Sequence, residues 1–296
     1  MPSLDVTQDF SKVLQTEIVE DPGPQVPIGT SLIFEAGLIT TNQWERATWL
    51  RNWHVFSGML LAIHFAGADG HTVDGSAVVV GPGIALCAKH VVEPHLEGLL
   101  SGQIACLATG ASEEGLQAWR ISKVNEVPNT DLYIIGLTLA SNVPKSGTFH
   151  QAVVSARIPE VGESLTLCGF RLDHTEAEIA GQSMVLHFAG NLLCCRGEVS
   201  QVFPQGRDRA MLPWPSVEVR CPAWGGMSGG PVFNTSGQLV GLVCSSFSDE
   251  EDSGPAYVSL LGPALTQGFS GGWPIEMSDG SSNLTDLSTR GVVTLV

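Results

Sequence analysis

Short apolar runs alternate with turn residues along the chain from about residue 55 onward. The first runs include "MLLAIHFAG", "SAVVVGPGIALCAKHVV" and "DLYIIGLTL", and a second set after "SNVPKSGTFH" includes "ESLTLCGFR", "SVEVRC" and "QLVGLVCSSF". β-Branched residues are frequent in these runs, and Gly, Pro, Asn and Asp separate them, as is typical of strands joined by tight turns. No long helical pattern intervenes, so the sequence predicts an all-β protein rather than alternating helices and strands.

The two sets of runs predict two antiparallel β-barrels of about six strands each. We predict an N-terminal extension at 1–54, a first barrel at 55–145, a second barrel at 146–268 and a C-terminal tail at 269–296. Within the extension, "TTNQWERATWLRNW" (40–53) has an apolar spacing compatible with a short amphipathic helix. The tail is polar and ends in a short apolar run that predicts a strand.

The charge of the chain argues against two classes of partner. Acidic residues outnumber basic ones by 30 to 14, for a formal net charge of −16, and Lys and Arg form no extended cluster. A surface that follows nucleic-acid phosphates needs such a cluster. The longest apolar stretch, at 55–67, is too short to span a bilayer and predicts a buried strand. We therefore expect neither a nucleic-acid partner nor a membrane.

The cysteines suggest a reducing compartment. There are seven, an odd number that includes the adjacent pair Cys194 and Cys195. The start of the chain, "MPSLDVTQDFSKVLQTEIVEDPGP", lacks the basic start and apolar core of a secretory signal peptide. We therefore expect reduced thiols and a cytoplasmic location rather than a disulfide framework. Two glycosylation-like triplets, at Asn234 and Asn283, are interpreted as chance matches.

Four glycines surround a single serine, Ser228, in "CPAWGGMSGGPVF". Glycine tolerates positive φ and close backbone approach, so the segment is either an ordinary glycine-rich turn or a backbone shaped around a reactive hydroxyl. The nucleophile elbow of α/β hydrolases is disfavoured, because a helix follows the serine in that motif. Here Pro231 and a β-type run follow it.

A serine hydroxyl becomes a nucleophile when a base takes its proton and a third group orients the base. The candidate base is His90, at the end of "GSAVVVGPGIALCAKHVV". The candidate acid is Asp131 in "NTDLYIIGL", where a turn that merely starts a strand is the alternative explanation. His95 suggests a metal site shared with His90, but no Cys or carboxylate completes the ligands at a convincing spacing. We expect no metal and no cofactor.

The motifs "CAKHVV", "NTDLYIIGL" and "GGMSGGPVF" occur in this order and resemble the histidine, aspartate and serine boxes of the chymotrypsin-fold, trypsin-like serine proteases. The segment from Ser228 through "NTSGQLVGLV" is most similar to the HtrA-like and V8-like bacterial branch. The resemblance covers roughly residues 55–265. It implies a double β-barrel with the active site in the cleft between the barrels.

The resemblance also implies a role for each residue of the motifs. Ser228 is the expected nucleophile, His90 the general base and then acid, and Asp131 the residue that orients and stabilises the imidazole. The backbone N–H groups of Gly226 and Ser228 are the expected oxyanion donors. In this interpretation Gly226 turns its N–H into the oxyanion hole, and the two glycines after the serine keep the approach to it open.

Several positions depart from the family pattern. Met227 stands where digestive members have an aspartate that pairs with a new N-terminus, so we expect no activation by N-terminal cleavage. Val91 follows the histidine, where secreted members have a disulfide-forming cysteine. Cys244 stands where the family often has a serine that contacts the catalytic aspartate.

Three residues are the expected contacts of the substrate side chain: Pro222, Cys244 and Ser246. Pro222 stands where trypsin-type enzymes carry a charged pocket floor, so small or medium apolar side chains are the expected substrates. The segment "SDEEDSG" (248–254) borders the same pocket in the resemblance. We interpret it as a solvated acidic loop, and attraction of a basic substrate side chain is the alternative.

The sequence thus predicts a serine endopeptidase that acts on a protein or peptide substrate, with a regulatory protein as a candidate partner. The alternative is a catalytically silent or latent trypsin-like domain that serves as a protein-binding module. An esterase or acyltransferase on another fold is disfavoured by the strand-rich pattern.

Overall fold

Strands dominate the computed structural model of the chain, which describes residues 6–41, 58–68, 70–112, 115–180, 183–246, 255–272 and 282–296. The strands in these ranges are β1 (Val6–Glu17), β2 (Ser31–Thr41), β3 (Leu60–Gly67), β4 (Gly70–Gly81), β5 (Ile84–Ala88), β6 (Ala105–Ser112), β7 (Gly115–Val127), β8 (Leu132–Leu139), β9 (Ser164–Ala180), β10 (Ser183–Phe203), β11 (Ser216–Val219), β12 (Pro231–Phe233), β13 (Leu239–Ser246) and β14 (Ala256–Leu260). The helices are short: α1 (Lys89–Val92), α2 (Leu96–Leu100), α3 (Gly262–Leu265) and α4 (Leu284–Thr289).

The first barrel closes in the strand order β3–β4–β5–β8–β7–β6, and all of its strand pairs are antiparallel. Successive side chains of a strand point to opposite faces, so every second residue faces the interior. Ile63 of β3 and Ala85 of β5 are fully buried in this interior. A turn at Pro82 and Gly83 joins β4 to β5, and Gly83 adopts a φ of +61° that glycine accepts without strain.

The second barrel runs in the order β9–β10–β11–β14–β13–β12 and closes because β12 pairs with β9. Leu165 and Val217 are fully buried in its interior. A further cluster of buried side chains, which includes Leu86 of the first barrel and Phe170 of the second, lies where the two barrels meet. The prediction of an all-β fold with two six-stranded antiparallel barrels is therefore confirmed.

The N-terminal strands extend the second barrel. β1 and β2 form an antiparallel hairpin, and β2 pairs in parallel with β10. The parallel register begins with Ser31 opposite Val185 and ends with Thr40 opposite Cys194. The first half of the long strand β10 therefore has β9 on one side and β2 on the other.

The N-terminal hairpin also supplies core side chains. Leu32 and Phe34 are buried in the cluster between the barrels, and the Phe34 ring meets the Phe170 ring edge-on with centroids 5.6 Å apart. Arg120 of β7 forms an ion pair with Asp21 at 2.7 Å, which ties the end of the hairpin to the first barrel. The sequence did not indicate these contacts. The predicted boundary at residue 54 stays a prediction, and residues 42–53 of the predicted helix lie outside the described residues.

The C-terminal tail contains a helix that the sequence analysis missed. α4 begins after Asn283, whose side-chain oxygen accepts the Asp286 backbone N–H at 2.8 Å, the usual arrangement of a helix N-cap. The predicted final strand is reduced to an isolated bridge between Leu295 and Val154. Among the described residues, no helix combines the length and apolar character that a membrane crossing requires.

Candidate active site

Neighbouring strands of the first barrel bring His90 and Asp131 together. His90 lies in α1, directly after β5, and Asp131 directly precedes β8. β5 and β8 pair antiparallel, with Ala88 opposite Leu132 at this end of the ladder. Because paired strands lie about 5 Å apart, the register itself places the two side chains within reach of each other.

Two hydrogen bonds join the pair. Oδ2 of Asp131 lies 2.8 Å from Nδ1 of His90, and Oδ1 accepts the His90 backbone N–H at 3.0 Å. The Asp131 side chain is 6% exposed, whereas the imidazole is 44% exposed. A carboxylate that accepts a hydrogen bond from Nδ1 leaves Nε2 as the nitrogen that can take a proton. The arrangement therefore supplies an oriented, accessible base.

The turn before Asp131 starts β8 as well. The Thr130 hydroxyl donates to the Val127 carbonyl at 2.7 Å and accepts the Leu132 N–H at 3.2 Å. Asn129 adopts a φ of +58°, a conformation that Asn tolerates better than most residues. The strand-starting turn and the contact with His90 are thus both present, and the turn holds the carboxylate in place.

The glycine-rich segment forms two consecutive β-turns. The Met227 N–H donates to the Trp224 carbonyl at 3.1 Å, and the Gly230 N–H donates to the Met227 carbonyl at 2.8 Å. Gly226 and Gly229 occupy the third position of their turns with φ of +88° and +79°. A type II turn requires positive φ at this position and therefore favours glycine. Ser228 occupies the second position of the second turn.

Close packing adds a second requirement for these glycines. A Cβ on Gly226 would lie 2.5 Å from the Phe170 carbonyl oxygen. A Cβ on Gly229 would overlap the Ser76 carbonyl oxygen, and one on Gly230 would overlap a carbonyl of β9. The prediction that Gly229 and Gly230 keep the approach to the serine open is therefore wrong. Both are buried, and they let neighbouring backbone segments pack directly against the loop.

Ser228 meets the first barrel at β4. The Ser76 N–H donates to the Ser228 carbonyl at 2.8 Å. A Cβ on Gly75 would lie 2.8 Å from the same carbonyl oxygen and 2.6 Å from Val91 Cγ2. Since Val91 follows His90 in α1, the serine loop lies beside the helix that carries His90. Among the described residues, no hydrogen bond joins the Ser228 hydroxyl to His90.

Some backbone N–H groups of the 224–230 loop are available to a ligand. The N–H groups of Met227, Gly229 and Gly230 all donate to carbonyls. Within the described part of the chain, those of Gly225, Gly226 and Ser228 have no acceptor. Gly225 is exposed and Gly226 and Ser228 are half-buried, so the two predicted oxyanion donors are among the loop N–H groups that a ligand can reach.

Two buried thiols lie close to the Asp131 carboxylate. Burial raises the pKa of Cys87 well above its usual value, and the negative charge of Asp131 raises it further. Burial also raises the pKa of Cys244 to about 12, again with a contribution from Asp131. Both thiols are therefore protonated at neutral pH and are not competing nucleophiles.

The predicted substrate contacts occupy different environments. The Pro222 carbonyl accepts the Cys195 thiol at 3.0 Å. Cys244 is 5% exposed and is packed against Leu212 and Tyr257. Ser246 is the last residue of β13, opposite Ala256 of β14. The acidic segment at 248–254 lies outside the described residues.

Met227, directly before the serine, is an apolar anchor. Its side chain is fully buried in the core of the second barrel. The Trp224 N–H donates to its sulfur at 3.4 Å. An apolar contact thus fills the position where the resemblance places a charged residue in other family members.

His95 does not share a site with His90. Nε2 of His95 lies 2.5 Å from the Asp74 carboxylate, and its ring stacks on Phe65 with centroids 3.8 Å apart. The residues that the structure describes contain no group of three or more His, Cys, Asp or Glu side chains arranged to hold a metal ion.

Ser76 is the residue of this site that the sequence analysis missed. It lies in the apolar run "GSAVVV", where a single hydroxyl reads as an ordinary strand residue. In the structure it is fully buried and contacts the serine loop. The only sequence signal is a polar residue, preceded by glycine, at the start of a run that is otherwise apolar.

A protein-family model and several solved structures are similar to this chain. A family model described as "Trypsin-like peptidase domain" matches residues 50–242, a range that includes the three candidate residues. The chain matches none of the curated proteins with which it was compared. Among solved structures, the MamO protease domain from Magnetospirillum magneticum is 16% identical, covers 71% of this chain and 95% of its own, and has a TM-score of 0.48. Deg5 is 17% identical over 74% of this chain and 90% of its own, with a TM-score of 0.48.

Proposed function

The chain belongs to the trypsin-like peptidase domain family and is a serine protease, and on this basis we propose that it hydrolyses peptide bonds with a Ser228–His90–Asp131 triad. The observation that carries the proposal is the buried Asp131 carboxylate, which holds the imidazole of His90 through Nδ1 at 2.8 Å and its backbone N–H at 3.0 Å. This pair leaves an accessible Nε2 beside the loop that presents Ser228.

The first half of the reaction forms an acyl-enzyme. His90 Nε2 takes the hydroxyl proton while Ser228 Oγ bonds to the substrate carbonyl carbon, and the carbonyl electron pair moves onto its oxygen. The N–H groups of Gly226 and Ser228 stabilise that oxyanion, and removal of one such donor costs about 3–4 kcal/mol of barrier. The imidazolium, stabilised by Asp131, then gives its proton to the leaving amine as the C–N bond breaks.

The second half regenerates the enzyme. His90 takes a proton from water, and the resulting hydroxide bonds to the acyl carbon. When the tetrahedral intermediate collapses, the bond to Ser228 Oγ breaks and the proton returns to that oxygen. No cofactor is required by these steps.

We propose that N-terminal cleavage does not activate the enzyme. In the alternative mechanism a charged residue before the serine pairs with a newly formed N-terminus, but Met227 offers no charge and is fully buried. The loop reaches its two-turn conformation through contacts with Ser76 and Phe170, both of which the intact chain already contains.

The substrate proposed is a protein or peptide with a small or medium apolar side chain before the cleaved bond. Pro222 is half-buried and Cys244 is a protonated, buried thiol, so neither supplies a charge that would select a basic or acidic side chain. A peptide library with each amino acid at that position would identify the preference directly.

A cytoplasmic location is part of the proposal and is supported by the thiols. All seven cysteines are free and buried in the structure. Such thiols fit a compartment that keeps cysteines reduced. Fractionation of cells that produce the tagged protein would test this assignment.

One observation favours a latent form as the second candidate. The Ser228 hydroxyl makes no hydrogen bond with His90 among the described residues. Catalytic hydrogen bonds often tighten only when substrate binds, so the same geometry also fits an active enzyme without substrate. In a latent protein, a regulatory partner would supply the missing alignment.

Reaction with a fluorophosphonate probe, followed by mass spectrometry of the labelled peptide, tests the proposal. Labelling of Ser228 in the wild type, and its loss in Ser228→Ala and His90→Ala, is the expected result. Ser236→Ala, in an exposed turn of the same barrel, is the matched control and should label normally. Labelling that persists in Ser228→Ala, or no labelling together with no peptide cleavage, would overturn the triad. Labelling that appears only after addition of a partner would identify the latent form.

A further inference from the structure

Ser76 links the two barrels through three hydrogen bonds, two of them with the serine loop and one with β9. Its hydroxyl donates to the Gly226 carbonyl at 2.9 Å and accepts the Phe170 backbone N–H at 2.8 Å. Its backbone N–H donates to the Ser228 carbonyl at 2.8 Å. One residue of the first barrel therefore binds the carbonyls of both residues whose N–H groups are the proposed oxyanion donors.

Because each peptide unit is planar, hydrogen bonds to its carbonyl also fix the direction of its N–H. The Gly226 carbonyl lies in the plane shared with Met227, and the Ser228 carbonyl lies in the plane shared with Gly229. The plane that carries the Ser228 N–H lies between these two. The intermediate plane is held by its own carbonyl, since the Met227 carbonyl accepts the Gly230 N–H at 2.8 Å, and Ser76 holds the planes on both sides of it. The peptide plane that carries the Gly226 N–H is adjacent to the Gly226–Met227 plane.

The shape of β4 explains how Ser76 reaches the loop. Asp74 is the extra residue of a β-bulge, because Val73 pairs with His64 and Gly75 pairs with the adjacent Ile63. Bulges bend a strand, redirect its side chains and are frequent beside active sites. Gly75 then lets the Ser228 carbonyl approach without a Cβ in the way. The bulge and the glycine together place the Ser76 N–H and hydroxyl at the loop.

The hydroxyl at this position is difficult to replace. A serine hydroxyl is both donor and acceptor, so one group can satisfy the Gly226 carbonyl and the Phe170 N–H together. Ser76 is fully buried, and water cannot easily take over either hydrogen bond. Its removal would leave a donor and an acceptor unpaired at the point where Gly226 adopts its positive φ.

We propose that Ser76 is a positioning residue of the proposed peptidase, which fixes the oxyanion-binding conformation of the serine loop from the opposite barrel. The proposal rests on the proposed function. It assigns to Ser76 an effect on the stabilisation of the tetrahedral intermediate, without contact with substrate. The His90–Asp131 pair, which Ser76 does not touch, keeps its own geometry.

Kinetics of Ser76→Ala test the proposal. We expect kcat to fall by about ten- to a hundredfold, with KM within about twofold of the wild type, because an interaction used in the transition state is lost. Affinity for a peptidyl boronate, which forms a tetrahedral adduct on the serine, should fall by a similar factor. The pH midpoint of kcat should not move, since the base and its carboxylate partner are unchanged.

Ser216→Ala is the matched control. Ser216 is also a fully buried strand serine, and its hydroxyl has no hydrogen-bond partner among the described residues. The substitution removes the same atom, and kcat should stay at the wild-type value. Ser76→Cys keeps the size and a weaker donor, and its kcat should lie between those of the wild type and Ser76→Ala.

A kcat of Ser76→Ala within twofold of the wild type would overturn the inference, as would equal losses in Ser76→Ala and Ser216→Ala. If Ser76→Ala does not fold, the same criteria apply to Ser76→Cys. Amide hydrogen exchange of the 224–230 segment gives a readout that needs no activity. It should accelerate by about tenfold or more in the Ser76 variant and stay unchanged in the control. An inactive wild type with this exchange pattern would contradict the proposed function and leave the positioning role standing, whereas unchanged exchange would contradict that role.

Discussion

The two halves of the proposed active site are held by different parts of the molecule. The His90–Asp131 pair is complete within the first barrel, because the register of β5 and β8 and the hydrogen bonds at Asp131 all belong to that barrel. The Ser228 loop belongs to the second barrel, yet Ser76 and Gly75 of the first barrel hold its backbone. The base is therefore a local structure, and the nucleophile loop is part of an interface.

This difference predicts which substitutions would disturb each half of the site. A change within the first barrel core should affect the base only if it moves β5 against β8. A change at the contact between the barrels should affect the serine loop first, because that loop takes its hydrogen bonds from both sides. Variants that change the His90–Asp131 pair and the Ser228 loop separately would test this difference. The largest effect is expected at the His90–Asp131 pair.

Asp131→Asn should prevent His90 from accepting the serine proton, while the serine loop keeps its conformation. The amide can donate to Nδ1 and hold the imidazole in the wrong tautomer, so we expect kcat to fall by about ten-thousandfold. Steady-state peptide hydrolysis measures the loss, and hydrogen exchange of the 224–230 segment should match the wild type. Glu126→Gln, at an exposed carboxylate of β7, is the control. Activity within tenfold of the wild type would show that Asp131 does not have this role.

Gly226→Ala should damage the serine loop and spare the base. The new Cβ would meet the Phe170 carbonyl, and φ of +88° is unfavourable for alanine. We expect probe labelling of Ser228 to slow by about a hundred- to a thousandfold. Gly225→Ala in the same loop is a close control, since a Cβ there meets nothing within 4 Å. Equal rates for the two variants would contradict the proposed oxyanion geometry.

Phe34→Ala should remove the packing that the N-terminal hairpin adds to the cluster between the barrels. Phe34 is 2% exposed and packs on Phe170, the residue whose N–H donates to Ser76. We expect the free energy of unfolding to fall by about 3–5 kcal/mol, measured by denaturant titration. Val13→Ala, at a side chain of β1 that is 62% exposed, should change it little. A small effect of Phe34→Ala would mean that the hairpin is not part of the core.

Glu163→Gln should produce the smallest effect and leave the site untouched. Arg157 donates two hydrogen bonds to this carboxylate and lowers its pKa below the ordinary value of 4.5. The folded state therefore gains stability from the charge above that pH, and the gain disappears as the pH falls through the lowered pKa. Because Arg157 is partly exposed, we expect about 0.5–1 kcal/mol.

The pH dependence of the stability difference provides the control for the Glu163→Gln prediction. The difference in melting temperature between the wild type and Glu163→Gln should be present at pH 7 and vanish in strong acid. Probe labelling at pH 7 should be equal for both proteins. A difference that grows as the pH falls would have the wrong sign for a carboxylate whose pKa is lowered by folding.

The sequence predicted His90 and Asp131 as candidates because each lies at the end of an apolar run, and the family resemblance indicated that they belong together. Apolar runs with turn residues between them predicted β5 and β8, and His90 and Asp131 lie at the ends of these runs. Once two strands pair, their end residues meet without further information. The same reasoning predicted the glycine-rich turn, since glycine permits the positive φ that Gly226 and Gly229 adopt.

Local patterns could not predict why glycine is required at Gly229 and Gly230. They also could not predict the contacts of Ser76. These residues are defined by what packs against them, and Ser76 and Gly226 are 150 residues apart in the chain. The parallel pairing of β2 with β10 is equally non-local. A strand pattern shows that a segment needs a partner but does not name the partner. Long-range contacts of the backbone therefore appear only in the folded structure.

The pairing of β2 with β10 has a consequence for biosynthesis. Ser31 leaves the ribosome about 150 residues before its partner Val185. At roughly 5–20 residues per second, the first hairpin waits on the order of 8–30 s for the strand that completes its sheet. During this interval the edge of β2 is an open template for another chain, and unpaired strand edges promote aggregation. The nascent chain is thus most exposed to edge-to-edge association before its second barrel is made.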